Sequence, residues 1–342
     1  MRALISVSEK TALDAFARGL DELGAELVAS GGTAAYLQEL GLDVRRVEEL
    51  TEVPELLGGR VKTLHPRVHA GILARRDRDD DLAALAEHEI PPFDLVCVNL
   101  YPFERDPGVE LIDVGGPAML RAAAKNWAHV AAVSSPDQYA PVLAELRERG
   151  ELSDETRRAL AGEAFATTAA YDAAIARWLA REGELPQRLV VGLRKELELA
   201  YGENPHQRAA YYVEDTRHLL AGVRQLQGRS LSFNNLNDLA GALRLLAELE
   251  PPACVIVKHA NPCGAAGGAT AAEAYERALA CDPVSAFGGV VALSEAVHEE
   301  LAERLATQFI EVLVAPAVPE SAVERLAIRP ALRVLVGKPP RP

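Results

Sequence analysis

Short apolar runs alternate with amphipathic stretches along the first half of the chain. Residues 3–7 are a short apolar run that predicts a strand, and residues 8–11 lead into an amphipathic stretch that ends near residue 20. Residues 26–29 predict a second strand, and Ser30-Gly31-Gly32-Thr33 leads from it into a helix ending near residue 40. Residues 95–100 and 129–133 predict further strands, with a helix between them from about Pro117. Such alternation predicts a largely parallel sheet covered by helices. Residues 153–179 predict one long helix that Ser153 can cap. Its stripe of Leu160, Ala164, Thr168, Tyr171, Ile175 and Trp178 falls at helical spacing, so these aromatics are expected in the core. Later, residues 253–257, 290–293 and 312–315 predict strands, and residues 271–280 and 295–308 predict helices.

The pattern breaks at residues 181–192, Arg-Glu-Gly-Glu-Leu-Pro-Gln-Arg-Leu-Val-Val-Gly. A chain of 342 residues suggests two domains, and this break places them at 1–190 and 191–342. The fold class expected is α/β in both. With 36 basic against 50 acidic residues, the net charge is −14. That argues against general nucleic-acid binding, which needs net or clustered positive charge, but not against a small phosphorylated ligand. No apolar run reaches the length of a membrane span, and the start lacks a signal-peptide core, so no membrane association and a cytoplasmic location are expected. Cys97, Cys254, Cys263 and Cys281 form no C-x-x-C pair and are expected to be reduced, buried thiols. Walker A, G-x-G-x-x-G, H-E-x-x-H and G-x-S-x-G motifs are absent. The last residues, Gly-Lys-Pro-Pro-Arg-Pro, resemble an interrupted loop.

Only six of the 36 basic residues are lysines: Lys10, Lys62, Lys125, Lys195, Lys258 and Lys338. Where Arg serves as the general surface cation, a retained Lys points to a compact ammonium that can titrate. Four motifs could carry chemistry, and three of them contain such a lysine. Ser30-Gly31-Gly32-Thr33 suits a phosphate at a helix N-terminus, or is a tight turn with a Thr cap. In Gly58-Gly59-Arg60-Val61-Lys62-Thr63, Arg60 can clamp a phosphate and Lys62 can act on a reacting group, unless this is a solvated basic loop. Asp113-Val114-Gly115-Gly116-Pro117 leads into an alanine-rich helix carrying Lys125. Partly desolvated, that lysine becomes a usable acid or base; reaching solvent, it does not. Lys258 and His259 end an apolar strand before a Gly/Pro turn, where His can take a proton and Lys can stabilise an oxyanion. Pro262-Cys263 invites a zinc-deaminase reading, but Ala266 stands where the second Cys would be, so zinc is rejected. His65 and His69 have helical metal-pair spacing, yet no third ligand is apparent and Pro66 disturbs the pair, so no metal is expected.

In chain order, SVSEKT, ASGGTAAYL, GGRVKTLHPRVHAGIL, NLYPF, IDVGGPAMLRAAAKN, YGENPHQ, VKHANPCG and DPVSAFGG are present. Together they resemble the bifunctional purine-biosynthesis family that combines IMP cyclohydrolase with AICAR formyltransferase, over essentially the whole chain. The resemblance implies a methylglyoxal-synthase-like N-terminal domain followed by part of a cytidine-deaminase-like transformylase domain. The family's cyclohydrolase closes the ring of formylated AICAR (FAICAR) to IMP and water, without a cofactor. By resemblance, Ser8, Lys10, Ser30, Gly31, Gly32 and Thr33 hold the nucleotide, mainly its phosphate end, joined by Arg60, Lys62 and Thr63. Asn99, Asp113 and Val114 lie near the base. Lys125 is the proton donor and acceptor, supported by Lys62, Tyr101 and Asp113. For formyl transfer from 10-formyltetrahydrofolate to AICAR, His259 matches the general base and Lys258 the transition-state stabiliser. Tyr201, Gly288 and Glu311 match substrate-side positions. A homodimer is implied.

Three departures stand out. Ala200 occupies a position where the family usually has Arg, which removes a phosphate contact. The stretch from Phe103 to Ile112 is shorter than in the family. The second deaminase-like unit is not within the 342 residues, so formyl transfer by this chain alone is not expected. Other readings are a fragment of a longer protein with both activities, a phosphosugar lyase, or a non-catalytic nucleotide-binding regulatory module. Lys62, Tyr101, Asp113 and Lys125 together argue against the last.

Overall fold

The computed structural model describes residues 1–180, 186–214 and 218–337. Lys338 with the residues after it, and residues 181–185 of the expected boundary, lie outside them. The chain divides into two compact units, Met1–Gly192 and Leu193 onward.

The first unit runs β1 (Arg2–Val7), α1 (Leu13–Glu22), β2 (Glu26–Ala29), α2 (Gly31–Glu39), β3 (Val44–Arg46), α3 (Val47–Thr51), α4 (Pro66–Leu73) and α5 (Asp79–Glu87). It continues with β4 (Leu95–Asn99), α6 (Gly115–Lys125), β5 (Ala131–Val133), α7 (Tyr139–Arg149) and α8 (Asp154–Leu179). The five strands form a parallel sheet in the order β3-β2-β1-β4-β5. Alternate strand residues serve opposite cores, as the two-residue period of a strand requires. Ala3, Ile5, Leu27, Ala29, Leu95 and Cys97 join α1, α2 and α7, while Leu4, Val28, Val96 and Val98 join α4, α6 and α8. Phe16 stacks on Tyr139 within the first of these cores. The helices change face between β1 and β4, and at such a switch point the strand C-termini open a crevice for ligands.

The second unit contains β6 (Arg194–Leu199), β7 (Ala209–Val213), β8 (Arg224–Gln227), α9 (Phe233–Ala247), β9 (Ala253–Lys258), β10 (Asn261–Gly267) and α10 (Ala271–Cys281). Beyond these lie β11 (Val290–Leu293), α11 (Glu299–Thr307), β12 (Val312–Ala315), α12 (Glu320–Leu326) and β13 (Arg333–Val336). Six strands make a mixed sheet ordered β10-β9-β11-β12-β13-β8, and β6 pairs with β7 separately. One face packs on α10, α11 and α12, the other on α9.

The structure corrects three expectations and decides one that stood open. The stripe on α8 is buried through Thr168, but Tyr171 is only half-buried and Trp178 is exposed, edge-on to Phe103. Of the cysteines, Cys97 and Cys254 are buried, Cys263 is half-buried and Cys281 is exposed. The Gly/Pro turn expected after Lys258-His259 is instead the start of strand β10, Asn261–Gly267, paired antiparallel with β9. Lys125 is exposed at the end of α6 rather than desolvated within it, because the alanines beside it, not the lysine, face the sheet.

Candidate active site

The C-terminal ends of β1, β2 and β4 open into a cleft of about 650 Å3. Its walls include Ser8, Lys10, Ser30, Gly31, Gly32, Thr33, Arg60, Lys62, Thr63, Asn99, Tyr101, Asp113 and Val114. Thus thirteen of the residues singled out from the sequence, spread over more than a hundred positions, share one cavity.

Thr33 ties the floor together. Its buried hydroxyl donates to the Val7 carbonyl at 3.0 Å and accepts from the Val7 N–H and the Lys10 Nζ at 3.1 Å each. Lys10 also donates to the carbonyls of Val7 and Ser8, and burial lowers its pKa. Ser30 bonds to Ser6 through the two hydroxyls at 2.9 Å. Asn99 spends its amide on the loop after β1. It accepts from the Ser8 and Glu9 N–H groups and donates to the Glu9 carbonyl at 2.7 Å. This side chain fixes the edges of the crevice, and contact with a base is not needed to account for it.

Asp113 sits where α6 begins. Burial pushes its carboxyl up from the ordinary range, against the Gly116 and Tyr101 backbone N–H groups that donate to it. The loop carrying it is held from α8, where the Tyr171 hydroxyl donates to the Leu111 carbonyl at 2.6 Å and accepts from the Asp113 N–H at 2.9 Å. Sequence reading placed Tyr171 in the core stripe and missed this bracket. The rim is charged. Lys62 lies 2.7 Å from Glu55, and the exposed Arg60 guanidinium pairs with both oxygens of Glu110.

Lys125 is not in this cleft. Gly115, at the start of α6, lines it, and ten residues of helix put Lys125 about 15 Å farther along the axis. Lys125 lines another groove with Arg121, Trp127, Phe165 and His69. Arg121 lies over the Phe165 ring there, and the buried His69 Nε2 has no partner. His65 caps α4 by accepting from the Arg67 N–H, so its ring already has a structural task. Among the described residues, no group of three or more His, Cys, Asp or Glu is placed to hold a metal ion.

In the second unit, one end of the mixed sheet gathers the other predicted residues. The β9–β10 connection is His259-Ala260, with φ of 53° and 60°. Left-handed backbone costs a non-glycine residue about 1–2 kcal/mol. The turn is held by Asp238 of α9, whose carboxylate accepts from the N–H groups of His259 (3.2 Å) and Ala260 (2.6 Å). Lys258 donates to the Phe287 carbonyl at 2.6 Å, next to Gly288. Glu311 accepts from the buried Asn235 amide at 2.9 Å and lies 4.0 Å from Arg333. Burial lowers the Arg333 pKa, with Glu311 acting in the opposite sense. The Tyr201 carbonyl accepts from the Phe233 N–H at the start of α9. Asn235 and Asp238 were not found from the sequence because α9 itself was not, and Arg333 was not because β13 was not.

Comparison with known proteins accords with this geometry. The AICARFT/IMPCHase bienzyme family model matches residues 123–342, and the MGS-like domain model matches residues 12–125. The bifunctional purine biosynthesis protein PurH of Parvibaculum lavamentivorans is 49% identical, over 98% of this chain and 65% of its own length. That of Halalkalibacterium halodurans is 46% identical, over 98% of this chain and 68% of its own. The chain therefore spans about two thirds of the length of these relatives. A solved structure titled "Crystal structure of ForH" shares 45% identity, covering 53% of this chain and 99% of its own with a TM-score of 0.49. With motifs, cleft and relatives in agreement, the chain belongs to the AICARFT/IMPCHase bienzyme family.

Proposed function

We propose that the first unit, residues 1–190 in the sequence reading, closes the ring of FAICAR to give IMP and water in de novo purine biosynthesis. The carrying observation is the single cleft that joins a phosphate-type turn at Gly31-Gly32 to cations and a buried carboxyl. In the reaction the carboxamide nitrogen attacks the formyl carbon, a C–N bond forms, and the carbinol oxygen leaves as water. No net oxidation occurs, so no redox cofactor is called for. Holding the two arms in contact removes most of the entropic barrier. Lys62 supplies positive charge to the bound nucleotide, for its phosphate as well as for the developing oxyanion. Asp113, whose carboxyl burial makes more basic than an ordinary carboxylate, is suited to carry a proton, and Tyr101 stands beside it. Ser8, Lys10, Ser30, Thr33, Arg60 and Thr63 hold the nucleotide. Incubation with FAICAR should yield IMP without folate; tight IMP binding with no turnover would favour a regulatory module.

Lys125 enters this scheme through a second copy of the chain. It is exposed, has no ion pair among the described residues and stands away from its own cleft, so a homodimer that brings it to the partner's cleft reconciles its position with proton transfer. Mixing Lys125→Ala with Lys62→Ala protein should then restore part of the activity that each lacks alone.

For the second unit, residues 191–342 in the sequence reading, we propose part of an AICAR site that uses 10-formyltetrahydrofolate as donor. His259 would take the proton from the acceptor amine and Lys258 would stabilise the transition state, with Tyr201, Gly288 and Glu311 on the substrate side. Ala200 and the two-thirds span of the relatives lead us to expect no formyl transfer from these 342 residues alone. Formation of FAICAR from AICAR and the folate would overturn that. No helix among the described residues is long and apolar enough to cross a membrane.

A further inference from the structure

The Lys62–Glu55 pair has an unusual seat. Leu56 and Val61 bond to each other through both backbone groups, so Glu55 and Lys62 stand opposite at the feet of a short hairpin. The pair is pressed against two glycines with left-handed backbone, Gly31 (φ +44°) and Gly59 (φ +93°). A Cβ at Gly31 would come within 2.9 Å of the Lys62 Nζ and 3.2 Å of the Glu55 carboxylate; one at Gly59 would come within 2.7 Å of the Lys62 Cε. Gly31 opens α2, and while the Thr33 N–H donates to the Ser30 carbonyl, the Gly31 and Gly32 N–H groups precede the first intrahelical bonds. A carboxylate therefore stands at the place where the fold offers donors and positive charge to an anion. The hairpin tip does little to anchor it, since Leu57 is 77% exposed.

From this contact we infer that Glu55 is a tethered counter-ion: it neutralises Lys62 beside the α2 N-terminus, and the phosphate monoester of the nucleotide displaces it. The inference rests on the reading of this cleft as a nucleotide site. It makes Glu55 a residue that weakens binding of the phosphorylated ligand, which must displace it from Lys62, and leaves a neutral nucleoside, which displaces nothing, little affected. Glu110 plays the same part for Arg60 more weakly, since that pair is exposed and screened by salt.

Calorimetric titration with IMP and with inosine tests this on wild type, Glu55→Gln and Glu110→Gln. Glu55→Gln should tighten IMP about tenfold, or 1.4 kcal/mol, and leave inosine little changed; Glu110→Gln should change IMP less than threefold. An IMP Kd that is unchanged or weaker in Glu55→Gln, while wild type binds, overturns the counter-ion role and leaves the site reading standing. Wild type that fails to bind IMP overturns both. Should Glu55→Gln not fold, a crystal structure of wild type with IMP decides. A broken Lys62–Glu55 contact supports the inference, and an intact one overturns it.

Discussion

The two units present their functional residues in opposite ways. In the first, side chains come from loops that follow parallel strands, so they reach one edge of the sheet through topology alone. In the second, Lys258 and His259 leave β9 at a hairpin while Glu311 and Arg333 stand at the starts of β12 and β13, and α9 joins them through Asp238 and Asn235. The first site is a crevice with paired counter-charges at its rim; the second is a strained turn held by a helix. Loops after parallel strands can change without disturbing the sheet, whereas a non-glycine turn persists only while its bracket does.

The largest effect should come from Asp113. Asp113→Asn keeps an acceptor for the Gly116 and Tyr101 N–H groups but removes the proton carrier, so IMP formation should fall by about 10²–10⁴-fold. Stability should move the other way. The folded state raises the Asp113 pKa, so it holds the proton longer than the unfolded chain does. Wild-type stability therefore falls as pH rises from the ordinary carboxylate value through the raised one. Asparagine does not titrate, so urea melts should show the variant gaining on wild type across that window and keeping the gain at pH 7. A gap that does not change with pH would rule out desolvation as the cause.

Tyr171→Phe comes next. Both hydroxyl bonds to the Asp113 loop are lost, and about 1.4 kcal/mol of lost ordering corresponds to roughly tenfold in rate. We expect that loss in kcat with KM nearly unchanged, because the phosphate end of the cleft is untouched. A change confined to KM would place Tyr171 in binding instead.

Legibility followed the same division. Seven strands and the turn motifs of the first cleft could be read because glycine pairs, Ser/Thr caps and lysines fall at the ends of apolar runs, and parallel order then brings them together. Tyr171 could not be assigned, since one aromatic at helical spacing reads as core whether or not its hydroxyl reaches a loop. The place of Lys125 stayed open because an alanine-rich helix shows which face is narrow, not which residue faces out. Helix α9 was hidden by Asn234, Asn235, Asn237 and Asp238, which resemble a turn. In the structure Ser232 and Asn235 cap the helix reciprocally, while Asp238 is turned to the hairpin. The turn at His259-Ala260 contains no glycine or asparagine, so nothing local announced its left-handed backbone.

That turn gives the smaller predictions, and they separate bracket from strain. Asp238→Ala removes a carboxylate that accepts two N–H groups and should destabilise the second unit by about 2 kcal/mol in urea melts. Ala260→Gly keeps the bracket and relieves the positive φ. Its gain, set against the extra freedom of glycine in the unfolded chain, should be at most about 1 kcal/mol. In the Asp238→Ala background the same Ala260→Gly change should recover more than it gives in wild type, because an unbraced turn no longer offsets its own strain. Equal gains in the two backgrounds would mean that Asp238 and the backbone strain act independently, and the contrast between a braced turn and an open crevice would lose its physical basis.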